Sequence, residues 1–179
     1  MTKSELERCI YEHGKDIYAF CRYLTCNKQE ADDLYQDTFL KAIELAEKIE
    51  FQNNPKSYLL SIALRIWKNR KRKYAWRKRI TGGSTEIDMQ EMEQVKSLEP
   101  SPEEYMLGKA ETEAVRAAVK KLPERLEMVV LLFYMEEQSI EEIAFTLKIP
   151  VGTVKSRLHQ ARKVLEKELE DVLDEKRHR

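Results

Sequence analysis

Ser139-Ile-Glu-Glu-Ile-Ala-Phe-Thr-Leu-Lys-Ile-Pro-Val-Gly-Thr-Val-Lys-Ser-Arg-Leu-His-Gln-Ala-Arg-Lys163 is the stretch from which the fold can be read. Ser139 stands three residues before Glu142, the spacing at which each side chain can cap the other's backbone N–H, so a short helix opens here and runs to Leu147. Lys148-Ile149-Pro150 breaks it, because proline lacks an N–H and disfavours helix in the residue before it. A second helix begins near Val151. Ile143, Leu147, Val154, Leu158 and Leu165 can pack inward, leaving Lys155, Ser156, His159, Gln160 and Arg162 to project outward from the second helix. Short helix, tight turn and basic helix make a helix-turn-helix, whose second helix offers its first turns to the major groove. Ser, Gln, Lys and Arg there can hydrogen-bond base edges, at ~1 to 3 kcal/mol per good contact. The blander alternative is a helical hairpin with a basic outer face.

Upstream, Leu122-Pro123 ends a helix that Ser101-Pro102-Glu103-Glu104 starts with an N-cap, a proline at the first helical position and a capping-box glutamate. Another helix spans Glu124 to Met135. Near the N-terminus Ile10, Ile17, Phe20, Cys21 and Leu24 recur at helical spacing. Asn27 then caps a second helix of about residues 29–47, with Glu30 three positions on. Phe51-Gln52-Asn53-Asn54-Pro55 is turn chemistry. It leads into a third helix, about residues 56–78, with Leu59, Ile62, Ala63 and Ile66 on one stripe and Arg65, Lys68, Asn69 and Arg72 on another. From Thr81 to Glu104 periodicity is lost and acidic residues accumulate, which reads as a flexible linker. The expected architecture is all-α: two small helical domains, residues 1–80 and 105–179, joined by residues 81–104.

The 179 residues carry 32 basic and 32 acidic side chains, a neutral total that argues against a nucleic-acid partner until it is partitioned. Residues 65–80 hold nine basic side chains and no acidic one, residues 143–165 hold five and none, and residues 81–104 hold one against seven. Either basic block alone could be a solvated face. Two on separate helices point to phosphate.

The longest apolar run, Met128 to Met135, is far short of a membrane span, and the start of the chain is too polar for a signal peptide, so a cytoplasmic protein is expected. Glycines at 14, 82, 83, 108 and 152 make no phosphate loop. His13, His159 and His178 are scattered and no serine sits in a nucleophile elbow, so neither an enzyme nor a small-molecule substrate is expected. Cys9 and His13 share a helical face and could join Cys21 and Cys26 at a zinc. Yet Cys21 and Cys26 lie about 140° apart around a helix, so buried reduced thiols are favoured and neither cofactor nor metal is expected.

Two segments carry a family resemblance. Leu122-Pro-Glu-Arg125 through Val151-Gly-Thr-Val-Lys-Ser-Arg-Leu-His-Gln-Ala-Arg-Lys163 resembles region 4 of bacterial sigma factors. Ala31-Asp-Asp-Leu-Tyr-Gln-Asp-Thr-Phe-Leu-Lys-Ala42, followed by Pro55-Lys-Ser-Tyr-Leu-Leu-Ser-Ile-Ala63 and the first basic block, resembles their region 2. With only an acidic linker between them, the chain is similar to the extracytoplasmic-function (ECF) group of the sigma-70 family. The resemblance implies a transcription initiation factor that binds core RNA polymerase at its β′ clamp and β flap, recognises promoter DNA and promotes its opening without chemistry of its own. An anti-sigma factor, often membrane-bound, is the implied regulator.

Residue by residue, the resemblance assigns Asp33, Gln36, Asp37 and Leu40 to the β′ clamp. These share one face of the second helix, while Ala31, Leu34, Thr38 and Ala42 can face inward. Asn53, Asn54, Lys56 and Tyr58 are candidates for capturing minus-ten bases, with Arg65, Lys68, Asn69 and Arg72 along the following helix. Trp67, Tyr74 and Trp76 are candidates for stacking on DNA, Trp67 with core packing as the alternative. Tyr58 stands where the family often has Trp, and Arg65 where it often has Asn. Lys155, Ser156, His159 and Gln160 are assigned to the minus-thirty-five element, with Thr153, Arg157 and Arg162 near phosphates. Glu136-Glu137-Gln138 replaces the glycine-containing turn common before this helix pair. Two rivals stay open at this point: a helix-turn-helix regulator acting independently of core polymerase, and an interaction protein or helical enzyme whose basic blocks are solvated faces.

Overall fold

The computed structural model describes residues 3–25, 27–45, 54–80 and 109–177. Cys26, Asn53, the acidic stretch 81–104 and the helix start expected at Ser101–Glu104 lie outside these residues. The described residues form seven α-helices and no strand: α1 (Lys3–Leu24), α2 (Lys28–Leu45), α3 (Pro55–Ile80), α4 (Lys109–Lys121), α5 (Glu124–Tyr134), α6 (Ile140–Leu147) and α7 (Val151–Arg177). The chain divides into two compact units, 1–96 and 97–179. No helix among the described residues is long and apolar enough to cross a membrane.

In the first unit α1, α2 and α3 pack against one another. The start of α2 follows from its cap, because the Glu30 N–H donates to Asn27 Oδ1 at 2.8 Å. Ile17, Phe20 and Cys21 of α1, Ala31 and Leu34 of α2, and Leu59, Leu60 and Ala63 of α3 are all but sealed from solvent, each large side chain contributing about 1.5–3 kcal/mol by leaving water. Thr38 is buried with them, its hydroxyl donating back to the Leu34 carbonyl at 2.6 Å, which lets a polar side chain enter the core. Ile10 departs from the expected stripe. It is 39% exposed while Cys9, 100° away around the helix, is buried, because the inward row runs Cys9, Ile17, Phe20, Cys21 and Leu24. Gly14 sits inside α1 despite the helical cost of glycine. A Cβ built there would lie 2.9 Å from the Tyr35 hydroxyl oxygen, so the helix accepts glycine where Tyr35 crosses it.

The second unit is organised around α5, which is buried over Met128–Leu132, as expected of a helix apolar all round. Leu126, Val129 and Leu132 of α5, Ile143 of α6, and Val154, Leu158 and Ala161 of α7 are all buried, and α5 packs on both α6 and α7. Both halves of the capping box form: the Glu142 N–H donates to Ser139 Oγ at 3.2 Å, and the Ser139 N–H to Glu142 Oε2 at 2.7 Å. Lys148 closes α6 in the left-handed region at φ 55°, and the Ile149 N–H reaches the Ala144 carbonyl, satisfying a terminal acceptor as such caps do. Where the sequence lacks the expected glycine, Glu137 adopts φ 53°. The same turn is held by the Gln138 N–H on the Leu132 carbonyl and by the buried Thr146 hydroxyl on Gln138 Oε1 at 3.2 Å.

Candidate functional site

On α7 the helical period separates two faces. Val154, Leu158 and Ala161 are buried, whereas Lys155, Ser156, His159, Gln160 and Arg162 are exposed, and Thr153 and Arg157 are half-buried beside them. The row runs through the first three turns, the part of such a helix that fits a major groove about 12 Å wide. Ser156 Oγ donates to the Thr153 carbonyl at 3.0 Å. Arg162 is held from the side: its Nε donates to the Tyr134 hydroxyl at 3.0 Å, and its guanidinium carbon lies 5.7 Å from the Phe133 ring centre and 6.0 Å from that of Tyr134.

Along α3, Arg65, Lys68, Asn69 and Arg72 are exposed, with Arg72 Nη2 donating to Asn69 Oδ1 at 3.3 Å. Every side chain from Lys71 to Ile80 is exposed. Among these are Tyr74 and Trp76, while Trp67 is half-buried under the Lys71 ammonium, 5.0 Å from its ring centre. The start of α3 is more occupied. Asn54 Oδ1 accepts the Ser57 N–H at 3.0 Å and so caps the helix. Lys56 pairs with Asp16 of α1 at 3.0 Å. Tyr58 keeps its hydroxyl away from solvent, and burial raises its pKa above the ordinary value near 10. Of the four residues expected to capture bases, Asn54, Lys56 and Tyr58 thus have places in the packing of their own unit, and Asn53 is outside the described residues.

On α2, Asp33, Gln36, Asp37 and Leu40 are exposed together, while Ala31, Leu34, Thr38 and Ala42 are buried. Ile43, one turn beyond Leu40, is also exposed and extends the row with a second apolar side chain. An apolar centre rimmed by polar groups has the composition of a protein–protein contact. Asp37 is bridged from α3 by Arg70, whose Nη2 lies 2.6 Å from Asp37 Oδ2 and 3.4 Å from the Asp33 carbonyl oxygen. Neither Ile43, Arg70 nor Tyr134 was expected from the sequence. The α2 period could have supplied Ile43, but Arg70 and Tyr134 reach partners 33 and 28 residues away, for which there is no local signal.

Behind the α2 face, Tyr18 donates to Asp32 Oδ1 at 2.7 Å. That bond, then burial and the Asp32 charge, raises the tyrosine pKa. Tyr35, edge-on to both Tyr18 and Phe39, is raised by burial. Cys9 and Cys21 are buried thiols, and among the described residues no three His, Cys, Asp or Glu side chains gather to hold a metal ion.

Fold and site together define an all-helical protein of two units, one with an acidic and apolar face on its second helix, the other built on a helix-turn-helix with an exposed polar row. Residues 9–77 match the profile of Sigma-70 region 2 and residues 112–165 that of Sigma-70, region 4. The chain is 30% identical over 158 residues to the ECF RNA polymerase sigma factor SigW of Bacillus subtilis, covering 87% of this chain and 84% of that protein. It is 32% identical over 150 residues to the RNA polymerase sigma-H factor of Pseudomonas aeruginosa, covering 82% and 77%. Among solved structures, the sigma factor RpoE in complex with the anti-sigma factor NepR from Bartonella quintana aligns with a TM-score of 0.72 at 22% identity, over 93% of this chain and 97% of that one, a likeness of fold. The protein belongs to the ECF sigma factors of the sigma-70 family.

Proposed function

We propose that this sigma factor docks on core RNA polymerase through the exposed α2 row Asp33, Gln36, Asp37 and Leu40, extended by Ile43, and brings it to promoters that its two units read separately. Residues 1–80 dock on the β′ clamp and hold the opened minus-ten strand, residues 105–179 meet the β flap and read the minus-thirty-five duplex, and residues 81–104 tether them. The observation that carries this reading is the pair of exposed rows on α2 and α7, each backed by a buried stripe on the same helix.

The physical division of labour follows from the chemistry of each row. Carboxylates beside Leu40 suit a partner that offers guanidinium groups around an apolar contact, since Arg pairs carboxylates in a bidentate fork. Lys155, Ser156, His159 and Gln160 offer donors and acceptors to base edges, and Thr153, Arg157 and Arg162 flank them for phosphates. Arg65, Lys68, Asn69 and Arg72, with Tyr74 and Trp76 nearby, supply the cations and aromatic faces that compensate lost stacking when a strand is held open. Tethering raises the effective concentration of each unit at its element, so neither must bind tightly alone. Polymerisation stays with the core enzyme; the factor itself does no chemistry and works in the cytoplasm, where an anti-sigma factor covering the polymerase-binding surfaces is the fitting regulator.

The experiment is transcription in vitro with purified core polymerase on a library of genomic promoters. Addition of the chain yields discrete start sites sharing two spaced elements; transcripts no different from those of core enzyme alone contradict the reading.

A further inference from the structure

Arg162 is the one residue of the α7 row tied down by another helix. Its Nε donates to the Tyr134 hydroxyl at 3.0 Å while its guanidinium lies over the edge-to-face pair formed by Phe133 and Tyr134, whose ring centres are 4.9 Å apart. Guanidinium carries five N–H donors in a rigid fork. One is spent on Tyr134, and the Nη groups lie at the other end of that fork. Tyr134 is 56% exposed, so its position is not dictated by core packing. It ends α5, immediately before the turn in which Glu137 adopts a positive φ. The end of α5 therefore carries the phenol to the side of α7. An arginine free in water samples many rotamers and must be ordered on binding; one held by a hydrogen bond and two rings is ordered beforehand.

We propose that Tyr134 is a positioning residue for promoter recognition: it orients Arg162 so that the outer edge of the guanidinium faces a backbone phosphate at the border of the minus-thirty-five duplex. The inference rests on the reading of α7 as the helix that enters that duplex. Tyr134 itself touches no base. Its hydroxyl acts through Arg162, and its ring, with that of Phe133, forms the shelf on which Arg162 rests.

The test uses the full chain bound to core RNA polymerase and a duplex promoter fragment recovered from the library above, with affinity measured across a salt series for wild type, Tyr134→Phe, Arg162→Ala, the double variant and Lys155→Glu. Removing the Tyr134 hydroxyl weakens binding roughly threefold, within the range of one hydrogen bond's net worth, and leaves the slope of log affinity against log salt unchanged because the phosphate contact survives. Arg162→Ala lowers that slope by about 0.9, one phosphate's counterion release on duplex DNA. In the Arg162→Ala background Tyr134→Phe has no further effect, which a purely structural role for the tyrosine would not produce. Equal losses from Tyr134→Phe in both backgrounds, or none in either, overturn the proposal. If Lys155→Glu and Arg162→Ala both bind like wild type, the reading of α7 falls and takes this inference with it; if they weaken binding and Tyr134→Phe does not, only the inference falls.

Discussion

The first turn of α3 and the first turns of α7 carry similar side chains, amides, hydroxyls and lysines, and put them to different use. On α7 the candidates Lys155, Ser156, His159 and Gln160 stand clear of the fold. On α3 Asn54 caps its own helix, Lys56 is paired with Asp16, and the Tyr58 hydroxyl is turned from solvent. The difference lies in how the start of each helix is held. A three-residue turn closed by Lys148 and Pro150 leaves α7 to start on Val151, whose first turn is supported from below by α6. By contrast, the start of α3 is fixed by side chains of its own unit, the Asn54 cap and the Lys56–Asp16 pair. In the second unit the candidate recognition residues are separate from those that support the helix, whereas at the start of α3 the candidates are themselves the supports.

That contrast can be broken most strongly from within a core. Leu132→Ala leaves a cavity under α6 and α7 and costs about 2–5 kcal/mol. Calorimetry should show the transition of the second unit move down while that of the first stays in place; a joint shift would mean that the two helices do not rest on separate cores. Next in size is Asn54→Ala, which removes a cap worth about 0.5–2 kcal/mol and should lower the melting temperature of the first unit together with promoter opening by the holoenzyme. Asn54→Ser keeps the capping oxygen, so it should restore the melting temperature and leave opening impaired, as a second use of the amide on DNA requires. Full recovery of opening would reduce Asn54 to a cap.

Smaller effects sharpen the comparison. Glu137 holds a left-handed conformation that costs a side chain roughly 1–2 kcal/mol, partly offset in glycine by the freer unfolded chain. Glu137→Gly should therefore raise the stability of the second unit by up to roughly 1 kcal/mol in thermal denaturation, with no gain in the first. The smallest effect is with pH. Tyr18, Tyr35 and Tyr58, all in the first unit, have pKa values above 10, led respectively by the bond to Asp32, by burial and by burial. Unfolded tyrosines ionise near pH 10, before these folded ones do, so the stability they contribute is complete below pH 10 and is lost as pH rises through the folded values. Circular dichroism from pH 9 upward should follow that loss in the first unit, and Tyr18→Phe should reduce its steepness.

Most of the fold was legible because capping and period are local. The Ser139–Glu142 box, the Asn27 cap, the break at Lys148–Pro150 and the inward stripe Ile143, Val154 and Leu158 all follow from neighbours within a few residues. Ile10 was misread by one position, since a stripe that can start at Cys9 or Ile10 is settled only by what packs on it. At the site, outward residues on α7 were legible as the complement of a stripe. The engagements of Lys56 with Asp16, Arg70 with Asp37 and Arg162 with Tyr134 were not, because each joins side chains from different helices and depends on how those helices cross.

The most direct measurement is retention of the purified chain by immobilised core RNA polymerase, with no inhibitor protein present. Wild type should be retained at equal stoichiometry, Lys155→Glu should be retained equally well while losing minus-thirty-five recognition, and Asp33→Lys combined with Leu40→Asp should be washed away. A wild-type chain that passes the column unretained would contradict the assignment of the α2 row, and Lys155→Glu failing to bind core would contradict the division between the two helices.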